Sequence, residues 1–262
     1  MDLSYAVLSS GSCGNSYVFY DGENSIVVDC GLSGKQMTER LESASIPKES
    51  IRAVFITHLH PDHASGIKVF TKKTEIPVYI NAFSAKRLPT LIVRYGIHTS
   101  LQRYFNINDD IDVDGAFVVH PFELYHDCIG TVGFKITSLK TQKCAVVITD
   151  TGKVTDDVRA LAEDADALFL ESNYDDEMLK KGPYPISLQN RIRGDKGHLS
   201  NKDAREFICA IKDKETRKIH LIHVSENNNT ISKIRDELSS VPNEKYSCLI
   251  PLERGEFYKG SV

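Results

Sequence analysis

Residues 57–63 read Thr-His-Leu-His-Pro-Asp-His, and they constrain this chain more than any other stretch. Three histidines and one aspartate fall within six residues. The preceding residues, 51–57, are apolar, β-rich and short, which predicts a buried strand. Residues 64–70 can begin a helix. The cluster therefore stands where a strand stops and a helix starts. An α/β sheet places its chemistry there, outside the carboxyl ends of its strands.

His58 and His60 are spaced i, i+2. In an extended segment both side chains point the same way, so two imidazoles reach one metal ion. Pro61 fixes φ and breaks the strand, turning Asp62 and His63 onto a new face where they can serve a second ion. Neutral imidazole and carboxylate form the ligand set of zinc and related divalent ions. The plainer alternatives are a solvated His-rich loop or one structural zinc. No Cys lies close by, and four ligands in six residues exceed what one closed site needs.

His58-x-His60-x-Asp62-His63 after an apolar strand resembles the signature of the metallo-β-lactamase fold superfamily. The resemblance implies an α/β fold, an αββα sandwich with the metal site at one edge of the sheets. It also implies hydrolysis in most branches, though not β-lactam cleavage. The next ligand expected is a His after a strand, well downstream. His126 fits, following a predicted strand at 116–122; its competitor His120 lies inside that strand and precedes Pro121. Asp150, in Thr149-Asp150-Thr151-Gly152 after another strand, supplies a carboxylate that can bridge two ions. The alternative for Asp150 is the N-cap of a helix over 154–162. Asp29, in Asp29-Cys30-Gly31, matches a D-x-G position whose carboxylate supports the ligands from behind, as carboxylates that orient ligating histidines do. The alternative there is a polar strand end. Residues 218–223 predict a strand ending in His223, the expected last ligand. His220, three residues earlier, faces the opposite side and is read as structural.

Assembled, His58, His60 and His126 hold one ion, Asp62, His63 and His223 hold the second, and Asp150 sits between. Two divalent ions, zinc or manganese or else iron, activate water without a Ser or Cys nucleophile. Asp62 and His198 are the catalytic residues expected. His198, in Gly197-His198-Leu199-Ser200-Asn201 ahead of a helix at 202–212, is the candidate proton donor to a leaving alkoxide. Ser200 and Asn201 are N-cap types at the positive end of that helix and suit an anionic substrate. The placement of His198 is similar to that in tRNA 3′-processing endonucleases and related phosphodiesterases.

More narrowly, S-S-G-S-x-G-N at 9–15, T-H-x-H-x-D-H, P-F-x-x-x-H-D at 121–127, T-D-T-G, G-H-L-S-N and H-x-S at 223–225 resemble the YycJ/WalJ-type exonucleases, in patches along nearly the whole chain. That resemblance implies a metal-dependent exonuclease acting on DNA, with the 11–15 loop beside the site. Ser12, Gly14 and Asn15 are therefore substrate-binding candidates, and Cys13 interrupts an otherwise small, polar loop. The residues alone argue only for a phosphoester hydrolase. The alternatives are a hydrolase of the same fold acting on a small phosphodiester, thioester or lactone, and a non-catalytic metal-binding module.

The 262 residues suffice for one hydrolase domain spanning 1–262, and 41% hydrophobic residues can fill its core. A formal net charge of −4 advertises no global basic field, although a local groove is enough for nucleic acid. Two basic groups qualify. One is Lys72, Lys73, Lys86, Arg87, Arg94 and Arg103. The other is Lys180, Lys181, Arg191, Arg193, Lys196, Lys202 and Arg205, with Pro183, Tyr184 and Pro185 among them, read as a loop or short insertion. The first is ordinary solvated surface or the flank of a substrate groove; the second is a phosphate-backbone track or ordinary solvated surface. Six scattered cysteines without a C-x-x-C pair suit a reducing cytosol. Neither a membrane span nor a signal peptide is read, so a cytoplasmic enzyme is expected.

Overall fold

The computed structural model describes residues 2–72, 74–212, 214, 217–241 and 248–262; Lys73 and the side chain of Cys248 lie outside the described residues. Six strands lie side by side in chain order: β1 (Ser4–Ser9), β2 (Ser16–Tyr20), β3 (Ser25–Val28), β4 (Ile51–Phe55), β5 (Val78–Asn81) and β6 (Gln102–Phe105). β1 to β3 are antiparallel, and β3 to β6 are parallel. The plan then repeats. β7 (Ile111–Val113), β8 (Phe117–Glu123), β9 (Val132–Ser138) and β10 (Cys144–Ile148) are antiparallel. β11 (Ala167–Glu171), β12 (Lys218–Ile222) and β13 (Cys248–Pro251) follow β10 in parallel. β14 (Tyr258–Ser261) returns to pair with β1, so each sheet has seven strands.

Strand alternation sorts the side chains into three apolar layers. Ala53 and Phe55 of β4 and Ala167 and Phe169 of β11 meet between the sheets, with Phe134 and Tyr17. Val54 faces outward onto Met37, Leu41 and Ile67 of the helices covering the first sheet. Leu168 and Leu170 face outward onto Val158, Ala204 and Phe207 of the helices covering the second. Because both faces are covered, β10 and β11 are apolar and buried along their length rather than alternating. This is the expected αββα sandwich. β9 and β10 form an antiparallel hairpin.

One expectation changes. The basic segment around 180–196 is not a loop: it carries helices Asp176–Lys181 and Ile186–Arg193. Its Pro-Tyr-Pro turn separates them, and their sparse burial, Leu179 in one and Gln189 in the other, hid the helical period. β6 and β7 also escaped notice, because these short edge strands are half exposed. Among the described residues no helix is long and apolar enough to cross a membrane.

His220 of β12 lies between the sheets as a structural side chain. Its ring stacks on Phe169 with centroids 4.8 Å apart, and its Nε2 is 2.8 Å from the Tyr5 hydroxyl. Burial, with the charge of Lys218 adding to it, pushes its pKa down to about 3. An unfolded His titrates near 6.5, so on acidification the unfolded chain takes up a proton that the folded chain refuses. Stability is therefore lost as pH falls from about 6.5 towards 3. In urea titrations the wild type should lose about 2 kcal/mol more than His220→Phe between pH 7 and pH 5; equal losses would contradict this role.

Candidate metal centre and active site

The carboxyl ends of β3, β4, β10, β11 and β12 deliver Asp29, the 57–63 segment, Asp150, Glu171 and His223. Three of these residues leave their strand in the left-handed region: Asp29 at φ 63°, Asp150 at φ 54° and His223 at φ 57°. That conformation is uncommon outside glycine and concentrates at functional sites. It turns each side chain off the pleat. Gly31 allows three segments to stack beside them: its N–H donates to Asn15 O, while Asn15 N–H donates to Asp62 O. A Cβ on Gly31 would stand 1.7 Å from Asp62 O.

The assembled side chains form four overlapping groups whose ligand atoms lie within 4.8 Å of one another: His58, His60 and His126; Asp62, His63 and His223; His58, His63 and Asp150; and Asp150, Glu171, His198 and His223. Asp150 thus reaches both expected triplets. Its Oδ2 is 3.2 Å from His63 Nε2, and its Oδ1 is 3.6 Å from His223 Nε2 and 3.8 Å from His126 Nε2. The N-cap duty goes instead to Thr155, which accepts from Val158 N–H.

The Nδ1 atoms are engaged behind the site. His63 Nδ1 donates to Asp29 Oδ2 at 2.7 Å, His126 Nδ1 to Gly197 O at 3.0 Å, and His223 Nδ1 to Glu171 Oε1 at 2.8 Å. His58 Nδ1 is 3.1 Å from Thr57 Oγ1. Such partners fix the ring and turn Nε2 to the centre. The Nε2 atoms of His58 and His223 are buried without a hydrogen-bond partner in the described structure. A buried imidazole nitrogen without a partner is costly unless something binds it, and a divalent cation fits both.

Charge points the same way. Burial would raise the Asp62 and Asp150 carboxyls, but neighbouring His63 and His223 hold both well below the usual carboxylate range. Burial lowers the His223 imidazole, and Asp150, Asp62 and Glu171 outweigh it, carrying it up to about 10. Protons on imidazole thus balance the carboxylates in the chain itself. His58 is held neutral, first by burial and then by the charge of His63, so its lone pair is free. Nitrogen and carboxylate oxygen in this arrangement suit zinc, manganese or iron.

Residues 24–224 match the family described as the beta-lactamase superfamily domain. The chain belongs to that superfamily. It is 34% identical over 245 residues to a Bacillus anthracis protein named exodeoxyribonuclease YycJ, covering 94% of this chain and 91% of that one. It is 33% identical over 232 residues to exodeoxyribonuclease WalJ of Streptococcus pneumoniae, covering 87% and 83%. Among solved structures, the metallo-beta-lactamase fold protein YhfI from Bacillus subtilis superposes with a TM-score of 0.71 over 99% of this chain and all of that one, at 17% identity. The protein is a metal-dependent hydrolase of this superfamily.

Asp29 is buried behind the cluster, with Thr57 N–H and hydroxyl donating to its Oδ1 and His63 Nδ1 to its Oδ2. His120 lies apart, paired with Asp110. Of the candidate substrate residues, Asn15 is buried and aims its Nδ2 at Asp62 Oδ2, 3.2 Å away, and at His63 Nε2, 3.0 Å away. Ser12 is exposed on the same loop, and Gly14 packs against Gly31 and Leu32. Ser200 and Asn201 depart from expectation. Ser200 is committed to a capping box with Asp203, and Asn201 is bonded to Ser172 and Asn229, so both are buried in the scaffold.

Glu171 stands at the carboxyl end of β11. In the structure it has no exposed surface. Its Oε1 accepts from the Nδ1 of both His198 and His223 at 2.8 Å, and its Oε2 accepts from Thr151 N–H and Leu199 N–H. Burial lowers the His198 imidazole, but Glu171 and Asp150 prevail and raise it above its ordinary value. Glu171→Gln should therefore make His198 lose its proton at a lower pH, read by NMR titration of the chelator-treated protein; an unmoved His198 titration would contradict the pairing.

Proposed function

We propose that the protein is a DNA exonuclease that hydrolyses phosphodiesters with two divalent ions, with His198 as the general acid. The observation that carries the reading is the pairing of His198 with buried Glu171 at the edge of the histidine–carboxylate cluster. The names of the YycJ and WalJ relatives, which align along most of the chain, support DNA as substrate.

In this reading His58, His60 and His126 would hold one ion and Asp62, His63 and His223 the other, with Asp150, close to histidines of both sets, available to either. When bound, such ions supply a water acidic enough to attack phosphorus at neutral pH and compensate the charge that develops there. The chain does the rest. Glu171 keeps a proton on His198 Nδ1 and fixes the ring, so Nε2 is the atom presented to a leaving alkoxide. The carboxylates of Glu171 and Asp150 raise the His198 pKa above its ordinary value against the effect of burial, which favours the protonated form a proton donor needs. Asn15 braces Asp62 from the loop side. Asp29 does the same for His63 from behind.

End-labelled single- and double-stranded DNA incubated with manganese should shorten stepwise from one end. His198→Ala should slow this roughly 10²–10⁴-fold, the usual worth of a general acid. It should spare most of the turnover of bis(p-nitrophenyl) phosphate, whose leaving group needs no proton. Activity on DNA should fall as pH rises through the elevated His198 pKa. Equal loss on both substrates, or no shortening of DNA by the wild type, would overturn the assignment.

A further inference from the structure

The crossover from β11 to β12 is longer than one covering helix requires, and the surplus forms a wall beside His198. Helix Asn201–Ala210 alone buries Ala204, Phe207 and Ile208 against the sheet. Helix Ile186–Arg193 buries only Gln189. Its apolar side chains Leu188 and Ile192, four apart on one face, are only half-buried, as is Tyr184 in the preceding turn. This apolar face is therefore not used up by the core.

The wall is fixed to the site. His198 N–H donates to Ile192 O at 2.9 Å, and Gly197 O receives His126 Nδ1. Arg191 lays its Nε on Asp127 Oδ2 at 2.6 Å, and Asp127 Oδ1 lies 3.3 Å from His126 Nε2. A cleft of about 190 Å³ opens between this wall and the histidines, lined by Tyr184, Leu188, Ile192, Arg191, Asp127 and His198. Its volume is below the roughly 300–1,000 Å³ of a pocket for a whole small molecule, and suits one unit of a longer substrate.

The chemistry of His198 decides which unit. The group that protonates the leaving oxygen forms one end of this cleft, so what carries that oxygen occupies it. We propose that the cleft binds the nucleotide on the leaving side of the scissile phosphate. Its base packs on the Tyr184 ring between Leu188 and Ile192, and an adjacent phosphate meets Arg191. The guanidinium has five N–H donors, more than one carboxylate takes, and its side chain is 62% exposed. Aromatic stacking accepts any base, so the cleft recognises a nucleotide without reading sequence. This inference rests on the nuclease reading of the site.

The test compares wild type, Tyr184→Ala, Tyr184→Phe and Arg191→Ala on an oligonucleotide, and on the same oligonucleotide made abasic at each of the two residues flanking the scissile phosphate in turn. Tyr184→Ala should lower kcat/KM on the intact strand at least about fivefold, through KM, while Tyr184→Phe stays close to wild type. One abasic strand should cost the wild type a similar factor and cost Tyr184→Ala little more. Arg191→Ala should flatten the dependence of log KM on log salt by about 0.7, the share of one phosphate contact on a single strand. The inference falls if Tyr184→Phe is as damaging as Tyr184→Ala, because the role would then belong to the hydroxyl, which bonds Asn227. It also falls if the abasic penalty is undiminished in Tyr184→Ala. A wild type that turns over bis(p-nitrophenyl) phosphate but neither strand overturns the nuclease reading itself, and this inference with it.

Discussion

A carboxylate with no exposed surface, Glu171, ties the second half of the site together. It accepts from two imidazoles and two backbone amides, joining the Asp150 loop, the His198 loop and the end of β12. Burying a carboxylate costs several kcal/mol unless it is paired and hydrogen-bonded throughout. Here every partner is itself a site element. The interaction is therefore weak evidence for stability and strong evidence for orientation: it fixes which ring nitrogen carries the proton on two histidines at once.

The first half of the chain solves the same problem with Asp29. It leaves β3 as Asp150 leaves β10, in the left-handed region and within an Asp-x-Gly turn, and it holds His63 and Thr57 in place. The two sheets repeat one plan, an antiparallel set followed by parallel strands, and the cluster lies where the carboxyl ends of both meet. Gly31 and Gly152 permit the close approach this requires. A Cβ on Gly152 would stand 2.2 Å from Gly194 O, in the segment that carries His198. The site is thus a product of the packing of the two halves, and strain in three strand ends is carried by the sandwich behind them.

Much of this was legible in the sequence, and the reason is local. His58, His60, Asp62 and His63 announce themselves because ligand chemistry and strand-to-helix punctuation coincide within a few residues. The alternating and continuous apolar strands predict the layers, since covered parallel strands have no polar face to hide. What escaped depends on distance. Glu171 meets His198 and His223 at separations of 27 and 52 residues, and a Glu at a strand end carries no local mark of that. Ser200 and Asn201 misled for a physical reason: the features that would suit an anion also suit the helix's own amides, and the helix takes them. The segment holding Tyr184 and Arg191 read as a loop because its helices bury almost nothing, which is also what leaves their side chains facing the cleft.

What we propose at the centre of the molecule is that seven side chains from both halves would hold two divalent ions with Asp150 between them. The most direct measurement is an anomalous-difference map from crystals soaked in manganese. The account predicts two peaks, one within ligand distance of His58, His60 and His126, the other of Asp62, His63 and His223, both touching Asp150. A single peak, or a pair that leaves Asp150 or either triplet out of contact, would contradict it.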